Sequence, residues 1–591
     1  MCGIYGVINR KVRREQAMEC LDTMIHRGPD GFGLWQEDGV TLGHRRLAIL
    51  DLSSAGSQPM SYANERYWMT FNGEIYNFIE IREELQHKGY TFRGNSDSEV
   101  IMAAYCEWKE KCVDRFNGMW TFAIWDRQEK SLFLSRDRFG VKPLYYTEFP
   151  DGGFAFASEM KALLPLLEKV EPNKEMFDRY FADNHYESQP ECLIKGIKRF
   201  PAGSYAWIRN GKTEITRFWN TLDHLIEVPD TYEEQVEQFR ELFLDACKIR
   251  MRSDVTLGTG LSGGLDSSAT ICAMSYISRN CADERANKDW QHAYVACFPG
   301  TDLDETKYAK QVTDYLGIRH TFLTIDDAVP EREFLRQLYC FEELWGNPQV
   351  PMMELYKKER ELGTTVSLDG HAADELFAGY GFDVLKEYPD AKGKAEIDQI
   401  TMAYLNQRSE MGYDPSSAEF KRQRNKLYRD YMTKYYAKKL LGRADVSSAY
   451  ADHPNWKKLD NLNKVLFVST HETILPTLLR NYDRDSMASG VEIRMPFLDY
   501  RIVEFAFSIG WKSKLHGGFS KSIVRDACAD FMPHDIAYRR PKLGFNAPIL
   551  DWMRGSYRQF FEDTVADPAF ANCSLIDDAA GVRADLAKFL N

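Results

Sequence analysis

The sequence lacks the usual signatures of zinc sites, redox motifs and disulfide frameworks. Its 12 cysteines are scattered, no two of them form a CxxC pair, and its 12 histidines include no HExxH motif. Scattered cysteines of this kind are typical of unpaired thiols in a reducing cytosol. We therefore expect a cytoplasmic protein without a zinc ribbon or a thioredoxin-like site.

Long apolar runs and an excess of positive charge are also missing. No uninterrupted apolar run reaches about 18 residues, so no membrane span is predicted. Residues 1–14 lack the charged start and apolar core of a secretory signal. Lys and Arg number 75 against 88 Asp and Glu, a net charge of −13. Because this acidic balance disfavours broad binding to nucleic acid or anionic membranes, we expect small-molecule partners and neither of those two.

The length and composition predict several packed domains. Of the 591 residues, 44% are hydrophobic and 13% are aromatic, which is enough for well-packed cores. At about 150 residues per domain, the length corresponds to roughly two to four domains. The pattern predicts a first domain over 2–216, a linker over 217–235, a second domain over 236–560 and a tail over 561–591.

The first half contains short apolar runs that end in turns, with helical stretches between them. Strands are predicted at Tyr67–Phe71 before Asn72-Gly73, at Leu132–Ser135 and at Phe154–Ala157, with a hairpin at 205–218 around Asn210-Gly211. Helices are predicted at Ile79–Lys88 and Glu99–Lys109. This mixture predicts an α+β domain with antiparallel sheets.

The second half alternates strands with helices. Helices are predicted at Thr231–Arg250, Ala269–Ile277 and Asp304–Leu316, and strands at Val255–Leu257, Ala293–Phe298, His320–Ile325 and Thr364–Leu368. This alternation predicts an α/β domain with a doubly wound parallel sheet, whose ligands bind at the carboxyl ends of the strands. Residues 381–470 are polar, rich in Tyr and Lys, and predicted to be helical.

Cys2 is the first candidate for chemistry. Removal of Met1 would leave its thiol beside a free α-amine, which titrates at about pH 8. Such an amine can act as the general base for its own thiol, directly or through water, so that no partner His is required. We therefore predict that Cys2 is a nucleophile.

Four residues downstream of Cys2 offer polar groups that fit the hydrolysis of an amino-acid amide. The departing amide nitrogen leaves from a tetrahedral oxyanion, which the Asn72 side chain and the Gly73 backbone N–H are suited to stabilise. A free amino acid also needs its charged ends held. Arg46 suits the α-carboxylate and Asp97 suits the α-ammonium.

A segment rich in glycine and serine, 261–268, lies between a predicted strand and a predicted helix. Glycines let backbone N–H groups approach phosphate oxygens, and serine hydroxyls add donors; the candidates are Ser262, Gly263, Gly264, Ser267 and Ser268. Asp266 in this segment and Asp374 after a later strand are the predicted Mg²⁺ ligands. The segment is not a Walker A loop, because it lacks the GxxxxGK spacing.

The first half resembles the glutaminase domain of class II glutamine amidotransferases, an N-terminal-nucleophile fold. The residues that carry this resemblance are Met1-Cys2-Gly3-Ile4, His26-Arg27-Gly28-Pro29-Asp30, Arg46-Leu47, Asn72-Gly73-Glu74 and Ser96-Asp97. The resemblance implies that Cys2 hydrolyses glutamine to glutamate and ammonia through a γ-glutamyl thioester. It also implies that Glu74 belongs to the glutamine-binding set with Arg46, Asn72, Gly73 and Asp97.

The second half resembles the ATP-pyrophosphatase (PP-loop) domain of glutamine-dependent asparagine synthetases. The matching segments are Ser262-Gly263-Gly264-Leu265-Asp266-Ser267-Ser268, Asp374-Glu375-Leu376-Phe377, Asp483–Ala488, Glu492–Asp499 and Lys542-Leu543-Gly544-Phe545. The resemblance implies ATP and Mg²⁺ as cofactors and adenylation of a carboxylate. It places Leu261, Ala296, Asp369 and Gly370 in the ATP site. Lys542, with Lys521 as a further candidate cation, would steady the adenylate and the pyrophosphate.

Together the halves predict a glutamine- and ATP-dependent amide synthetase, with L-aspartate as the favoured acceptor and L-asparagine as the product. The resemblance also implies an ammonia tunnel between the domains and a homodimer. His371 departs from the family, whose best-known members have glutamate there. It is a candidate catalytic base, a substrate contact or a packing residue without a part in the reaction.

This departure keeps other acceptors open, namely uronic-acid sugars or secondary-metabolite precursors. Three further rivals are disfavoured. The serine- and glycine-rich loop argues against a sugar-phosphate or phosphoribosyl amidotransferase, Cys2 argues against a β-lactam synthetase or lasso-peptide cyclase, and the intact candidate sites argue against an inactive scaffold protein.

Overall fold

The chain is described here by a computed structural model. It describes residues 2–183, 185–281, 283, 285–325, 331–344, 350–443, 445–540, 544 and 547–591. The predicted Lys542 lies outside these residues. The strands are β1 Gly3–Ile8, β2 Gly31–Glu37, β3 Val40–Arg46, β4 Met60–Tyr62, β5 Tyr67–Ile75, β6 Gly118–Asp126, β7 Ser131–Arg136, β8 Tyr145–Glu148, β9 Phe154–Ala157, β10 Lys198–Arg199, β11 Ser204–Arg209, β12 Lys212–Arg217, β13 Leu257–Gly260, β14 His292–Cys297, β15 Arg319–Thr324, β16 Val366–Leu368 and β17 Glu492–Arg494.

The α-helices are distributed over both halves and dominate the second. They are α1 Arg14–Asp22, α2 Phe78–His87, α3 Asp97–Trp108, α4 Cys112–Arg115, α5 Lys174–Asp183, α6 Tyr232–Arg250, α7 Leu265–Asn280, α8 Thr306–Leu316, α9 Glu331–Phe341, α10 Val350–Glu361, α11 Ala373–Phe377, α12 Gly381–Val384, α13 Lys394–Asn406, α14 Ala418–Leu440, α15 Asn461–His471, α16 Ile474–Met487, α17 Tyr500–Ser508, α18 Trp511–Lys514, α19 Ser522–Cys528, α20 His534–Ala537, α21 Ile549–Arg554, α22 Arg558–Ala566, α23 Pro568–Ala571 and α24 Ala579–Leu590.

Two six-stranded antiparallel sheets build the first half, in the orders β10-β8-β9-β1-β3-β2 and β12-β11-β7-β6-β5-β4. One hydrophobic cluster joins the two sheets, since it contains Ile4 and Leu42 of the first sheet and Ala123 and Leu134 of the second. The sheets therefore pack face to face, which confirms the predicted α+β class. Cys2 stands immediately before β1, an interior strand of the first sheet, and this position fixes the start of the chain against the core.

One local prediction in this half is wrong. The sequence pattern ends a strand at Phe71 and places a turn at Asn72-Gly73, but β5 continues through both residues to Ile75. Along β5, Asn72 pairs with Thr121 and Gly73 pairs with Trp120 of β6. Long-range pairing with β6 therefore overrides the local turn preference of an Asn-Gly pair. The predicted hairpin is confirmed, because β11 and β12 pair around Asn210-Gly211.

The second half contains a five-stranded parallel sheet in the order β15-β14-β13-β16-β17. Chain order reverses between β13 and β16, so this is the switch point at which ligands of doubly wound sheets bind. Segment 261–268 follows β13, and the Asp369 segment follows β16. The parallel α/β prediction is thus confirmed, and both predicted loops reach the same edge of the sheet.

Three helix predictions need comment. Helix α7 begins at Leu265, four residues before the predicted Ala269, so Asp266 lies in its first turn rather than in a loop. Residues 381–470 are largely helical, as predicted, in α12, α13, α14 and α15. Part of the predicted linker, from Tyr232 onward, belongs to α6. Among the described residues, no helix is both long and apolar enough to cross a membrane.

Candidate active site

Cys2, Arg46, Asn72, Gly73, Glu74 and Asp97, together called the Cys2 site, lie where β1, β3, β5 and α3 converge. The Cys2 backbone N–H donates to Asn72 Oδ1 at 2.8 Å, and the Leu47 N–H approaches the Cys2 sulfur at 3.4 Å. Burial raises the pKa of the Cys2 thiol, and the Leu47 N–H partly opposes this increase. The thiol therefore needs a base to become a nucleophile near neutral pH.

Asn72 is fully buried, and its amide has a fixed orientation. Because Asn72 Oδ1 accepts the Cys2 N–H, the other end of the amide must be the Nδ2 donor, which has no hydrogen-bond partner among the described residues. The adjacent Gly73 has φ +151°, and a Cβ there would collide with the backbone carbonyl of Met119. Only glycine fits this position, and a free donor stands beside the nucleophile, as an oxyanion hole requires.

The remaining residues of the Cys2 site are charged groups held by the backbone. The Arg46 guanidinium donates to the carbonyls of Ser53 at 2.9 Å and Asp51 at 2.5 Å. Asp97 accepts the Ile75 N–H at 2.9 Å, and burial raises its pKa to about 7. Burial likewise raises the pKa of Glu74. A cationic group entering the site would favour the ionised form of both carboxyls.

Sequence reasoning missed two residues of this site that come from the second half. Arg494 of β17 lies 3.4 Å from Glu74 Oε1 and 2.8 Å from Glu492 Oε1. Glu492 is also close enough to raise the pKa of Cys2. Both residues lie in the family segment Glu492–Asp499, but no local pattern predicts that they approach the Cys2 site. The signal available in the sequence was a pair of opposite charges, Glu492 and Arg494, within an otherwise apolar segment, 491–498.

A buried ion network joins the two halves beside Cys2. The Arg27 Nε–H donates to the Cys2 carbonyl at 3.1 Å, and its other nitrogens donate to Asp483 at 2.7 and 3.0 Å and to Glu159 at 2.9 Å. Arg484 lies 2.9 Å from the same Glu159. The Asp483-Arg484 pair of α16 therefore serves the contact between the halves.

A second site is a cavity of about 510 Å³ at the switch point of the parallel sheet, here called the loop cavity. Eleven of the predicted residues line it: Leu261, Ser262, Gly264, Asp266, Ser267, Ala296, Asp369, Gly370, His371, Asp374 and Lys521. Within the loop, the hydroxyl oxygens of Ser262 and Ser267 lie 3.1 Å apart. Hydroxyls, backbone N–H groups and the start of α7 thus converge on one concave surface, an arrangement suited to phosphate oxygens.

Two predicted loop residues do not line the loop cavity. Gly263 has φ +78°, and its backbone packs against Tyr308 and Ala309. Ser268 is fully buried inside the first turn of α7, and its hydroxyl has no hydrogen-bond partner. The early start of α7 explains this position, because it turns Ser268 toward the core. Lys542 lies outside the described residues.

Lys521 joins the two predicted metal ligands. Its ammonium nitrogen lies 2.5 Å from Asp266 Oδ2 and 2.5 Å from Asp374 Oδ1. The two carboxylates therefore converge on one cation position, and Asp266 Oδ1 is buried without a hydrogen-bond partner. Among the described residues, no group of three or more His, Cys, Asp or Glu could hold a metal ion. Two carboxylates that share a site with phosphate groups fit Mg²⁺, which keeps water and phosphate ligands.

His371 lies in a part of the cavity wall that differs from the phosphate-type loop, because it is built from an aromatic ring and a carboxylate. Its ring stacks on Tyr482 with centroids 3.7 Å apart, and its Nε2 lies 3.5 Å from Asp369 Oδ2. Asp369 also accepts hydrogen bonds from the Tyr356 and Ser367 hydroxyls, each at 2.7 Å. Burial alone would raise the pKa of Asp369, but His371 and these hydroxyls together hold it below its ordinary value.

Several lining residues were not predicted as site residues. They are Asn481 and Tyr482 of α16, and the cations Arg525 and Arg539. Arg539 lies 2.6 Å from Glu305 Oε1, and both residues line the loop cavity. No local motif marks these residues, because they come from helices and a loop that only the tertiary fold brings to the sheet edge.

Known proteins match both halves of the chain. A family model described as a glutamine amidotransferase domain matches residues 1–219, and one described as asparagine synthase matches residues 238–584. The chain is 30% identical to the glutamine-hydrolysing asparagine synthetase 1 of Bacillus subtilis over 96% of this chain and 90% of that protein. It is 32% identical to asparagine synthetase 3 of the same organism over 91% and 86%. It is 27% identical to asparagine synthetase B of Escherichia coli over 94% and 83%.

Proposed function

Because the chain belongs to the family of glutamine-hydrolysing asparagine synthetases, which are ATP-dependent, we propose that it converts L-aspartate to L-asparagine. Its membership makes it a glutamine-dependent carbon–nitrogen ligase that acts on a carboxylate. In the proposed reaction, glutamine, ATP and aspartate give glutamate, AMP, pyrophosphate and asparagine. The observation that carries the proposal is the presence of the Cys2 site and the loop cavity on one chain, joined by β17 and α16.

The proposed first step is attack of Cys2 on the side-chain amide of glutamine. After Met1 is removed, the α-amine of Cys2 takes the thiol proton and passes it to the departing ammonia. Asn72 Oδ1, which accepts the Cys2 N–H at 2.8 Å, orients that amine. Asn72 Nδ2 and the Gly73 N–H stabilise the oxyanion, and water then hydrolyses the thioester to glutamate.

Charge complementarity supports the roles proposed for the glutamine ends. Arg46, fixed by two backbone carbonyls, would bind the α-carboxylate. Asp97 and Glu74 would bind the α-ammonium. Burial raises the pKa of both carboxyls, so the arriving ammonium would supply the charge that stabilises their ionised forms.

In the loop cavity, the proposed step is attack of an aspartate β-carboxylate oxygen on the α-phosphorus of ATP, with loss of pyrophosphate. Ser262, Gly264 and Ser267 would contact the phosphates, and Leu261, Ala296 and Gly370 would contact the adenosine. Asp266 and Asp374 would hold Mg²⁺, which supplies positive charge to the phosphate oxygens when bound. Lys521, between these two carboxylates, would add a fixed cation.

Ammonia then attacks the acyl carbon of the adenylate, the new C–N bond forms, and AMP leaves with its oxygen. A proton must leave the nitrogen in this step, and His371 is the candidate base in the loop cavity. Its position supports this role, since His371 lines the loop cavity and its Nε2 lies 3.5 Å from Asp369 Oδ2, which orients the ring. We also propose, from the sequence, that Lys542 steadies the adenylate. The domain bounds, an ammonia tunnel and a homodimer likewise remain proposals from the sequence.

Pyrophosphate release tests the proposal. Purified protein is incubated with ATP, Mg²⁺ and glutamine, with and without L-aspartate, and asparagine is measured in parallel. We expect aspartate-dependent pyrophosphate with asparagine in step, and Asp266→Asn should lose both while it retains glutaminase activity. Glutamine hydrolysis without aspartate-dependent pyrophosphate would refute aspartate as the acceptor and leave the ligase class intact.

One observation favours a second acceptor class, the uronic-acid sugars. The loop cavity has His371 where the best-known family members have glutamate, and this ring stacks on Tyr482. Tyr380, which also lines the cavity, stacks on Phe382 with centroids 5.3 Å apart. Flat aromatic surfaces with neutral polar groups suit the apolar faces and hydroxyls of a sugar. Pyrophosphate release with glucuronate, but not with aspartate, would support this alternative.

A further inference from the structure

Asn481 of α16 is a buried polar residue on the wall of the loop cavity, with 1% of its surface exposed. The next residue, Tyr482, also lines the cavity and carries the stacked His371 ring. Asn481 therefore belongs to the wall of the loop cavity, and it has no role in the reaction proposed above.

The orientation of the Asn481 amide is fixed by its neighbour. The Arg480 guanidinium donates to Asn481 Oδ1 from Nε at 3.2 Å and from Nη2 at 3.0 Å. Arg480 is itself held by an ion pair with Glu187 and by the Leu344 carbonyl at 3.0 Å. A flipped amide would turn its own N–H groups against these donors. The end of the amide that Arg480 does not hold is therefore Nδ2.

Asn481 Nδ2 has no hydrogen-bond partner in the part of the chain that the structure describes. A buried donor without a partner is costly, and in a cavity wall its natural partner is a ligand. His371, another residue of the loop cavity, already has a partner, since its Nε2 lies 3.5 Å from Asp369 Oδ2. The Asn481 donor on the cavity wall therefore calls for an oxygen atom of the ligand.

We propose that Asn481 is a specificity-determining residue for the acceptor, and that its Nδ2 donates to an acceptor oxygen other than those of the carboxylate that is adenylated. For L-aspartate, this oxygen belongs to the α-carboxylate. The inference rests on the proposed function, since it concerns aspartate. Arg480 acts as a positioning residue, because it holds the amide in the orientation that presents the donor.

The test compares L-aspartate with β-alanine, which is aspartate without the α-carboxylate. In the wild type we expect kcat/KM for aspartate to exceed that for β-alanine by about 10- to 100-fold, the value of one hydrogen bond to a charged group. Asn481→Leu should lower kcat/KM for aspartate by about that factor, mainly through KM, and leave β-alanine unchanged. Asn481→Asp keeps the oxygen that Arg480 holds and loses the donor, so it should lose aspartate activity at least as strongly.

Two controls separate recognition from folding. Thr313→Val on α8 removes a buried hydroxyl that donates to the Lys310 carbonyl at 3.0 Å, away from the cavity wall and from the Glu187–Arg480 pair, and it should leave the acceptor ratio unchanged. Glutaminase activity and the KM for ATP should be equal in all variants if the fold is intact. A ratio of aspartate to β-alanine that survives Asn481→Leu, or an equal loss with both acceptors, would overturn the inference. Absence of aspartate-dependent pyrophosphate in the wild type would refute the proposed function instead, and with it the aspartate form of the inference.

Discussion

Substitution of Gly379 by alanine tests how Asp374 is positioned. A Cβ at Gly379 would lie 1.6 Å from Asp374 Oδ1 and 2.5 Å from the Lys521 Cε. Ordinary van der Waals contact begins at 3.4 Å, so the carboxylate must move by about 1.8 Å. A misplacement of about 1 Å in a reacting group can cost about 100-fold in rate. We therefore expect Gly379→Ala to lower aspartate-dependent pyrophosphate release by at least about 100-fold.

The assay measures pyrophosphate release and glutamine hydrolysis on the same preparation. Glutamine hydrolysis should stay near the wild-type rate, because the Cys2 site contains no group that contacts Gly379. Gly510→Ala is the matched control, since the nearest atom to its added Cβ lies 3.7 Å away. Pyrophosphate release from Gly379→Ala within a few-fold of the wild type would refute the idea that Asp374 must stay beside Lys521.

Three further predictions concern the Cys2 site and the contact between the halves. Cys2→Ala should abolish glutamine-dependent synthesis but retain synthesis with ammonium chloride, and loss of both activities would contradict the division of labour. Burial raises the pKa of Asp97 to about 7, so the folded chain binds more protons than the unfolded chain between about pH 4 and 7 and loses stability as the pH rises. Asp97→Asn should flatten that part of the profile of melting temperature against pH, and an unchanged slope would contradict the shift. Arg27→Met removes two hydrogen bonds to buried Asp483, which keeps the longer ion pair with Arg484 at 3.7 Å. It should lower the free energy of unfolding by about 3–5 kcal/mol in urea titrations, whereas Arg115→Met at a half-exposed pair should change it little; equal effects would contradict the argument.

Predictions that depend on residues close in sequence, such as the hairpin turn and the alternation of strands and helices, were confirmed. The hairpin at Asn210-Gly211 formed as predicted, because a two-residue Asn-Gly turn matches the twist of paired strands. The alternation of strands and helices predicted the parallel sheet, and its switch point placed segment 261–268 beside Asp369. These features depend on the periodicity and turn chemistry of single segments, which the sequence displays directly.

Features that depend on the partner strand or helix were not predictable in the same way. Asn72-Gly73 has a strong turn signal, yet its pairing with β6 keeps it extended. Asn481 has no motif, and only the tertiary fold brings α16 to the loop cavity beside residues of β13 and β16. Glu492 and Arg494 belong to β17 of the parallel sheet in the second half, and the contact between the halves brings them to the Cys2 site. In each case a residue distant in sequence decides the outcome.

The two sites share structural elements, so a change in a shared element affects both sites. The Asp369 backbone N–H, at the loop cavity, donates to the Arg494 carbonyl at 2.9 Å, and the Arg494 side chain reaches Glu74 of the Cys2 site. Helix α16 makes a second connection, since Asp483 pairs with Arg27 beside Cys2 and the preceding Tyr482 stacks on His371. Each connection consists of packed, hydrogen-bonded groups in direct contact, which is the physical basis that coupling between sites requires. A substitution in β17 or α16 therefore perturbs amide hydrolysis and adenylation together, whereas one confined to segment 261–268 perturbs adenylation alone.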